Sequence, residues 1–279
     1  MLRRLLIVVS AVFVVACAGP PPVPPLVVAA ASFDPQSALL ANIYAAGLRY
    51  YGTAAQVQTF EDPLAALDTG EASVTAGFTG RLLHRLDPES TARAPEQVYR
   101  AMIGALPEGV AAGDYAVAAE DKPALAVTGA TAAGWGSRDL STLVRNCARV
   151  SVGAPTATNP PNSVGTCMLT QPREYGTPAM LFDALRSGVV TAAWTTTAST
   201  GVPDGVVVLV DRKPALIAAQ NVVGLYRRNE MGEMQLRAVN ELAGVLDTAA
   251  LVQMTAKVQG GADPRGVAEE WLTANPLGR

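Results

Sequence analysis

His84 is the only histidine in the chain, so neither a His-rich metal site nor a mechanism that needs two histidines can be assembled. It lies between Arg81 and Arg85 in a stretch of helical spacing, the setting of a solvated surface residue. No serine sits in the Gly-x-Ser-x-Gly turn that presents a strained nucleophile. Gly129 and Gly134 have the glycine spacing of a phosphate-cradling loop, but Trp135 stands where the phosphate-binding lysine is required. The carboxylates are scattered. Glu269 and Glu270 are neighbours and so do not share a helix face. No nucleophile, base or metal cluster emerges, and the chain reads as a non-enzyme with no cofactor and no metal.

The cysteines carry the remaining covalent chemistry. Arg3 and Arg4 precede an uncharged apolar run from Leu5 to Val15. That run is shorter than the roughly 20 residues of a membrane span, and it has the form of a cleaved export signal over residues 1–16. Val14-Val15-Ala16-Cys17 resembles the lipobox, in which the cysteine becomes the lipidated mature N-terminus. Residues 17–25 follow as a Pro-rich tether, a composition that stands a domain off a surface. Cys147 and Cys167 then remain as an even pair in an exported chain, which reads as a disulfide.

Composition narrows the rest. Removal of residues 1–16 leaves 263 residues and moves the formal charge from −3 to −5 as Arg3 and Arg4 depart. The only lysines are Lys122, Lys213 and Lys257, and no basic stripe exists to meet a nucleic acid. With 49% hydrophobic and 16% charged residues, the chain can bury a substantial core.

Strand and helix signals alternate from residue 26. Leu26–Ala31 is a short apolar run of the buried-strand type, and Asp34-Pro35 opens a helix that Gly52 ends. Strands are expected over 54–59 and 72–76, with helices over 63–69, 79–86 and 94–106. Extended segments follow over 115–119 and 124–128, a helix over 139–146 and a strand over 149–153. A helix over 178–187 precedes strands over 189–195, 206–210 and 221–227, and three helices close the chain. Such alternation implies α/β lobes, each a mostly parallel sheet covered by helices on both faces. Two groups of units with two extended crossings predict lobe I over 26–122 plus 215–279 and lobe II over 123–214, joined by two crossover strands.

Several segments also resemble a known family. Ser32–Tyr51 is similar to the opening of the glycine betaine/choline-type osmoprotectant-binding proteins of ABC importers, which have the two-lobed type II periplasmic-binding-protein fold. Gly70-Glu71 followed by Phe78-Thr79-Gly80 resembles that family's Gly-Glu, then Tyr-Thr-Gly segment. Ser137-Arg138-Asp139-Leu140, Tyr175-Gly176, Ala184–Gly188, Val206, Leu209 and Asp211 match in order, and Gly266–Leu272 resembles its Val-Ala-x-x-Trp-Leu ending. Phe78 replaces a Tyr, and Gln220-Asn221 stands where Tyr-Asn and a following Pro are expected.

The resemblance implies a lipid-anchored protein on the outer face of the cell membrane that captures a small solute, a quaternary-ammonium osmoprotectant foremost, between its lobes. It would act as a monomer and deliver the solute to ABC permease subunits. A methylated ammonium cannot donate hydrogen bonds and is held by aromatic faces. By analogy Ser32, Phe33, Phe78 and Thr79 belong to the cleft of the first lobe, with Gln220 and Asn221 at the crossing. Trp194, Thr197 and Ser199 follow a strand end on the second, with Trp135 and Tyr175 as further candidates. The alternative is an envelope lipoprotein that has kept the fold as a scaffold or partner-binding module without tight solute binding.

Overall fold

The computed structural model describes residues 24–278. The export signal over 1–16, Cys17 and all but Pro24 and Pro25 of the tether lie outside the described residues.

Local sequence starts most elements. β1 (Leu26–Ala31) runs into a short loop, and Asp34 caps α1 (Pro35–Tyr50) by accepting from the backbone N–H groups of Gln36 and Ser37. Pro35 sits at the first helical position, where its missing N–H costs nothing. The same device recurs after β2 (Ala55–Phe60), where Asp62 caps α2 (Pro63–Thr69) through Leu64 and Ala65. Gly70, at φ 84°, takes the left-handed conformation that ends that helix. β3 (Val74–Phe78), α3 (Thr79–Leu86), α4 (Pro95–Ala105) and β4 (Val110–Glu120) complete the outward half of the first lobe.

The chain then crosses. β5 (Pro123–Thr128), α5 (Gly129–Trp135), α6 (Ser141–Arg145), β6 (Val152–Pro155) and a β7–β8 hairpin (Ser163–Val164, Cys167–Met168) build the second lobe. β9 (Arg173–Tyr175), α7 (Pro178–Arg186), β10 (Ala192–Thr196) and β11 (Val206–Val208) finish it. The return strand β12 (Asn221–Arg227) re-enters the first sheet, followed by α8 (Glu233–Val245), α9 (Thr248–Gln259) and α10 (Pro264–Ala274). Cys147 and Cys167 form a disulfide that closes the loop carrying the hairpin.

Two five-stranded sheets result, β2-β1-β3-β12-β4 and β11-β5-β10-β6-β9. Each has four strands running the same way and one reversed, a mostly parallel sheet as expected from the sequence. In the first, β1 pairs parallel with β2 and β3 while β12 is antiparallel to β3 and β4. In the second, β5 is antiparallel to β10 and β11 while β6 runs parallel to β10 and β9. The reason is the double crossing. In each lobe the reversed strand is the one that arrives from the other lobe. All other strands therefore aim their C-terminal ends at the crossing, where the loops of both lobes meet.

Each lobe has its own core. In the first, Leu39, Leu40, Ile43, Tyr44 and Leu48 of α1 pack with Val239 and Leu242 of α8 and Leu272 of α10. Gly224 permits this, since a Cβ there would stand 2.4 Å from the ring of Tyr44. In the second, Leu125, Val127, Leu143, Val152 and Trp194 pack around the disulfide loop. Among the described residues no helix is long and apolar enough to cross a membrane.

Candidate functional site

Ligands of open α/β sheets bind outside the C-terminal ends of strands, and here those ends converge on the crossing. A recess of about 300 Å³ opens there on the first lobe, at the lower end of small-molecule sites. The ends of β1 and β3 form its floor, and the first turns of α1, α2 and α3 form its walls. Gln36, Phe78, Arg81 and Arg85 are its main functional side chains. A larger hollow of about 450 Å³, lined by Arg49, Tyr50 and Leu272, lies at the opposite end of the lobe between α1 and α10. Its polar groups are paired within the protein: Arg49 with Glu269, the Tyr50 hydroxyl with Leu277 O and the Thr273 hydroxyl with Glu269 O.

Arg81 dominates the recess. Its guanidinium lies 4.6 Å from the centroid of the Phe78 ring, within cation–π range. Nη1 donates to Gln36 Oε1 at 3.1 Å and Nη2 to Asp121 Oδ2 at 3.2 Å. Gln36 Nε2 donates to the same Oδ2 at 2.8 Å, closing the ring of contacts. The Asp121 side chain is 6% exposed and that of Arg81 50%. Asp121 Oδ1 is buried with no partner among the described residues. At the exposed edge of the recess Arg85 pairs with Asp62, and this contact holds the Asp62 carboxyl below the usual carboxylate range against the opposing effect of partial burial.

The two crossings are tied to each other and to both lobes. Lys122 Nζ reaches Asp211 Oδ2 at 3.3 Å, and Asp211 also accepts from the backbone N–H groups of Leu216 and Ile217. The Lys122 backbone N–H donates to Thr197 Oγ1 at 2.9 Å, and Thr197 Oγ1 donates to Glu120 O at 3.3 Å. Thr200 Oγ1 donates to Gln259 Oε1 at 3.0 Å, a contact from the second lobe to α9.

The residues singled out in the sequence fall into three groups. Ser32 and Phe33 form the β1–α1 loop at the rim of the cleft, with Ser32 part-buried. Phe33 is fully exposed and held at φ 60°, a costly conformation for a non-glycine residue. Phe78 ends β3 and is 3% exposed beneath Arg81. The second group builds the crossing. Thr79 Oγ1 accepts from the Asn221 N–H at 3.1 Å, Gln220 Oε1 accepts from the Arg81 N–H at 2.8 Å, and Asn221 Nδ2 donates to Ala116 O at 3.0 Å. Thr197 joins them, and Ser199 sits part-exposed on the loop after β10. The third group packs inside the second lobe. Trp194 is 3% exposed in β10 with no partner for its Nε1 among the described residues, and Trp135, at the end of α5, lies against the same core.

Gln36, Arg81, Asp121 and Lys122 are central to the site but were not singled out by sequence reasoning, and Asp211 was noted only as one of the family-like matches. The one local signal was Arg81 directly after Thr79-Gly80; the pairings themselves span 40 to 89 positions. Among the described residues no group of three or more His, Cys, Asp or Glu side chains is placed to hold a metal.

The fold and the cleft define a two-lobed solute-binding protein of the periplasmic type. Residues 24–274 match the family described as the substrate-binding domain of the ABC-type glycine betaine transport system, and the chain belongs to that family, one of transport and not of catalysis. Its structure is similar to unliganded YehZ from Escherichia coli, at 18% identity and a TM-score of 0.68, over 90% of this chain and 99% of that one. A glycine betaine/carnitine/choline ABC transporter protein superposes at 16% identity and a TM-score of 0.71, over 90% and 98%. Lactococcal OpuAC, closed on glycine betaine, gives 10% identity and a TM-score of 0.51, over 90% and 96%. At such identities the likeness is one of fold. No curated protein sequence matches the chain.

Proposed function

We propose that this protein is an exported, lipid-anchored solute receptor of an ABC importer that closes its lobes on a small osmoprotectant of the glycine betaine type. Lobe I comprises residues 26–122 plus 215–279, lobe II comprises 123–214, and Cys17 carries the anchor on the outer face of the membrane. The receptor works as a monomer and presents the closed form to its permease. The observation that supports this reading is the convergence of the strand C-termini of both lobes on one crossing, where the first lobe carries the recess of Phe78 and Arg81 and Thr197 of the second lobe hydrogen-bonds Lys122.

Each residue has a role in the proposal. Phe33, fully exposed at the rim, offers its ring to a methylated ammonium as the lobes close. Ser32, Ser199 and Thr197 supply polar contacts from the two rims. Thr79, Gln220 and Asn221 hold the crossing, and Trp135 and Trp194 support the second-lobe wall from behind.

A thermal-shift panel on the intact, oxidised protein tests this reading, using glycine betaine, choline, carnitine, proline betaine, proline, sugars and unrelated amino acids. A solute that binds only the folded state adds about 2.7 kcal/mol at 100 times its Kd. The expected result is a rise with a quaternary-ammonium solute that shrinks in Phe33→Ala, whose own melting temperature stays unchanged. A rise with only an unrelated solute would keep the receptor and discard the ligand class. One observation favours a second reading, an envelope scaffold with a filled cleft: the Phe78 ring is buried under Arg81. That reading predicts no shift with any solute.

A further inference from the structure

The β7–β8 hairpin stands outside the main sheet of the second lobe. It pairs two residues with two, Ser163 and Val164 with Met168 and Cys167, and forms a sheet of its own. A hairpin that short is marginal without further support. Here the support is covalent: Cys167 on β8 is bonded to Cys147 in the turn after α6. With the bond in place, Val164 and Cys167 are buried in the second-lobe core.

The second crossing rests on this stapled hairpin. Leu216 and Ile217 belong to the same core as Val164 and Cys167. The hairpin turn passes so close that a Cβ on Gly165 would stand 3.1 Å from Leu216 Cδ2. Asp211 accepts from the backbone N–H groups of Leu216 and Ile217, and the same carboxylate holds Lys122 of the first crossing. A few positions beyond Ile217, Gln220 Oε1 accepts from the Arg81 N–H at the recess. One continuous run of contacts thus leads from the disulfide to both crossings and on to the cleft.

The two sulfurs differ in access. Cys147 is part-exposed, whereas Cys167 is 2% exposed. A thiolate from solvent therefore attacks Cys147 Sγ, forming a mixed disulfide and releasing Cys167 as a thiol. The second thiol of a dithiol reductant then displaces Cys147. The protein disulfide gains two electrons and two protons, and the reductant leaves as its own disulfide. The Cys167 thiol suits the core as a small apolar group, so the lobe keeps its fold while the hairpin loses its tie. We propose that the Cys147–Cys167 bond is a redox switch on solute affinity: reduction by a dithiol frees the hairpin under Leu216, loosens the second crossing and weakens capture without unfolding the lobes. The effect on affinity rests on the solute-capture reading above; the loosening of the crossing does not.

Oxidised and dithiothreitol-reduced samples of the intact protein test this with two readouts, amide hydrogen exchange followed by NMR and calorimetric titration with glycine betaine. On reduction the Leu216 and Ile217 amides should exchange faster by about tenfold or more, part of what loop closure contributes. Glycine betaine should bind about fivefold more weakly, a change typical of groups that act on a site without touching the ligand. A cooperative melting curve in the reduced sample reports that the fold is retained. Cys147→Ala combined with Cys167→Ala should match the reduced protein and ignore dithiothreitol. Leu216→Ala should weaken binding in the oxidised state and abolish the difference between the two states. Equal exchange or equal affinity in the two states, a redox difference that survives in Leu216→Ala, or loss of cooperative melting on reduction would each overturn the switch. If the oxidised protein binds no solute, the capture reading falls and exchange alone decides: faster exchange at Leu216 and Ile217 supports the redox-controlled crossing, and an unchanged rate overturns it.

Discussion

Replacing Lys122 with Met tests whether the two crossings are held by the buried pair between them. Lys122 Nζ and Asp211 Oδ2 lie 3.3 Å apart, with side chains 11% and 4% exposed. Lys122→Met keeps the aliphatic stem and removes the charge, leaving Asp211 with the backbone N–H donors of Leu216 and Ile217 at 3.0 and 3.1 Å. Removing one partner of a buried pair costs roughly 3–5 kcal/mol when the other charge is left uncompensated. The two N–H donors compensate part of it, so we expect a loss of about 2–3 kcal/mol. For a chain of this size each kcal/mol moves Tm by about 2–4 °C, which sets the expected fall at roughly 4–12 °C. Thermal unfolding followed by circular dichroism at neutral pH reads this directly. Adding Asp211→Asn to Lys122→Met should cost less than the sum of the two single changes, because the pair is lost only once. An unchanged Tm in Lys122→Met, or strict additivity in the double variant, would refute the argument that this pair staples the hinge.

Three further outcomes follow from the structure. Asp62 titrates below the usual carboxylate range because of Arg85, so its stabilisation is complete above the unfolded value of about 3.9 and disappears as pH falls below it. Urea unfolding should show Asp62→Asn less stable than wild type at pH 6, with the difference shrinking as pH falls from the unfolded value through the depressed folded one. A Cβ on Gly80 would stand 2.4 Å from Ala219 O and 2.7 Å from Gln220 Nε2. Gly80→Ala should therefore displace the second crossing, lowering stability by about 1–3 kcal/mol and weakening solute binding in the same titration. Cys147 and Cys167 are 20 positions apart, a loop whose closure is worth roughly 3 kcal/mol; reduction should lower Tm by several degrees, and no change would show that the second-lobe core stands without it.

How much of this was legible in the sequence follows the range of the interactions. Helix starts were readable because the caps are local: Asp34-Pro35, Asp62-Pro63 and Asp263-Pro264 each announce a helix within three residues. β4 was not, over its first half, because Val110–Asp114 is Val-Ala-Ala-Gly-Asp, without strand propensity. It becomes a strand by pairing with β12, with register shifts around Val223. α5 was missed because Gly-Ala-Thr-Ala-Ala-Gly carries no apolar period; the Thr128 side chain caps it by accepting from the Thr131 N–H. Which strand of each lobe is reversed was not legible, because the double crossing, and not the strand sequences, decides it. Phe33 and Phe78 could be placed near the cleft by resemblance, yet the covering of Phe78 by Arg81 depends on Gln36 and Asp121, 45 and 40 positions away. Trp194 pairs with the fully buried Leu125, a register that puts it in the core and that no local pattern reveals.

The most direct test of solute capture is calorimetric titration of the intact, oxidised protein with glycine betaine. Saturable one-to-one binding, with a Tm that climbs as the solute exceeds its Kd, is the expected result. A cooperatively folded protein that gives neither heat nor a Tm shift with glycine betaine, nor with any other solute of the panel, would contradict it.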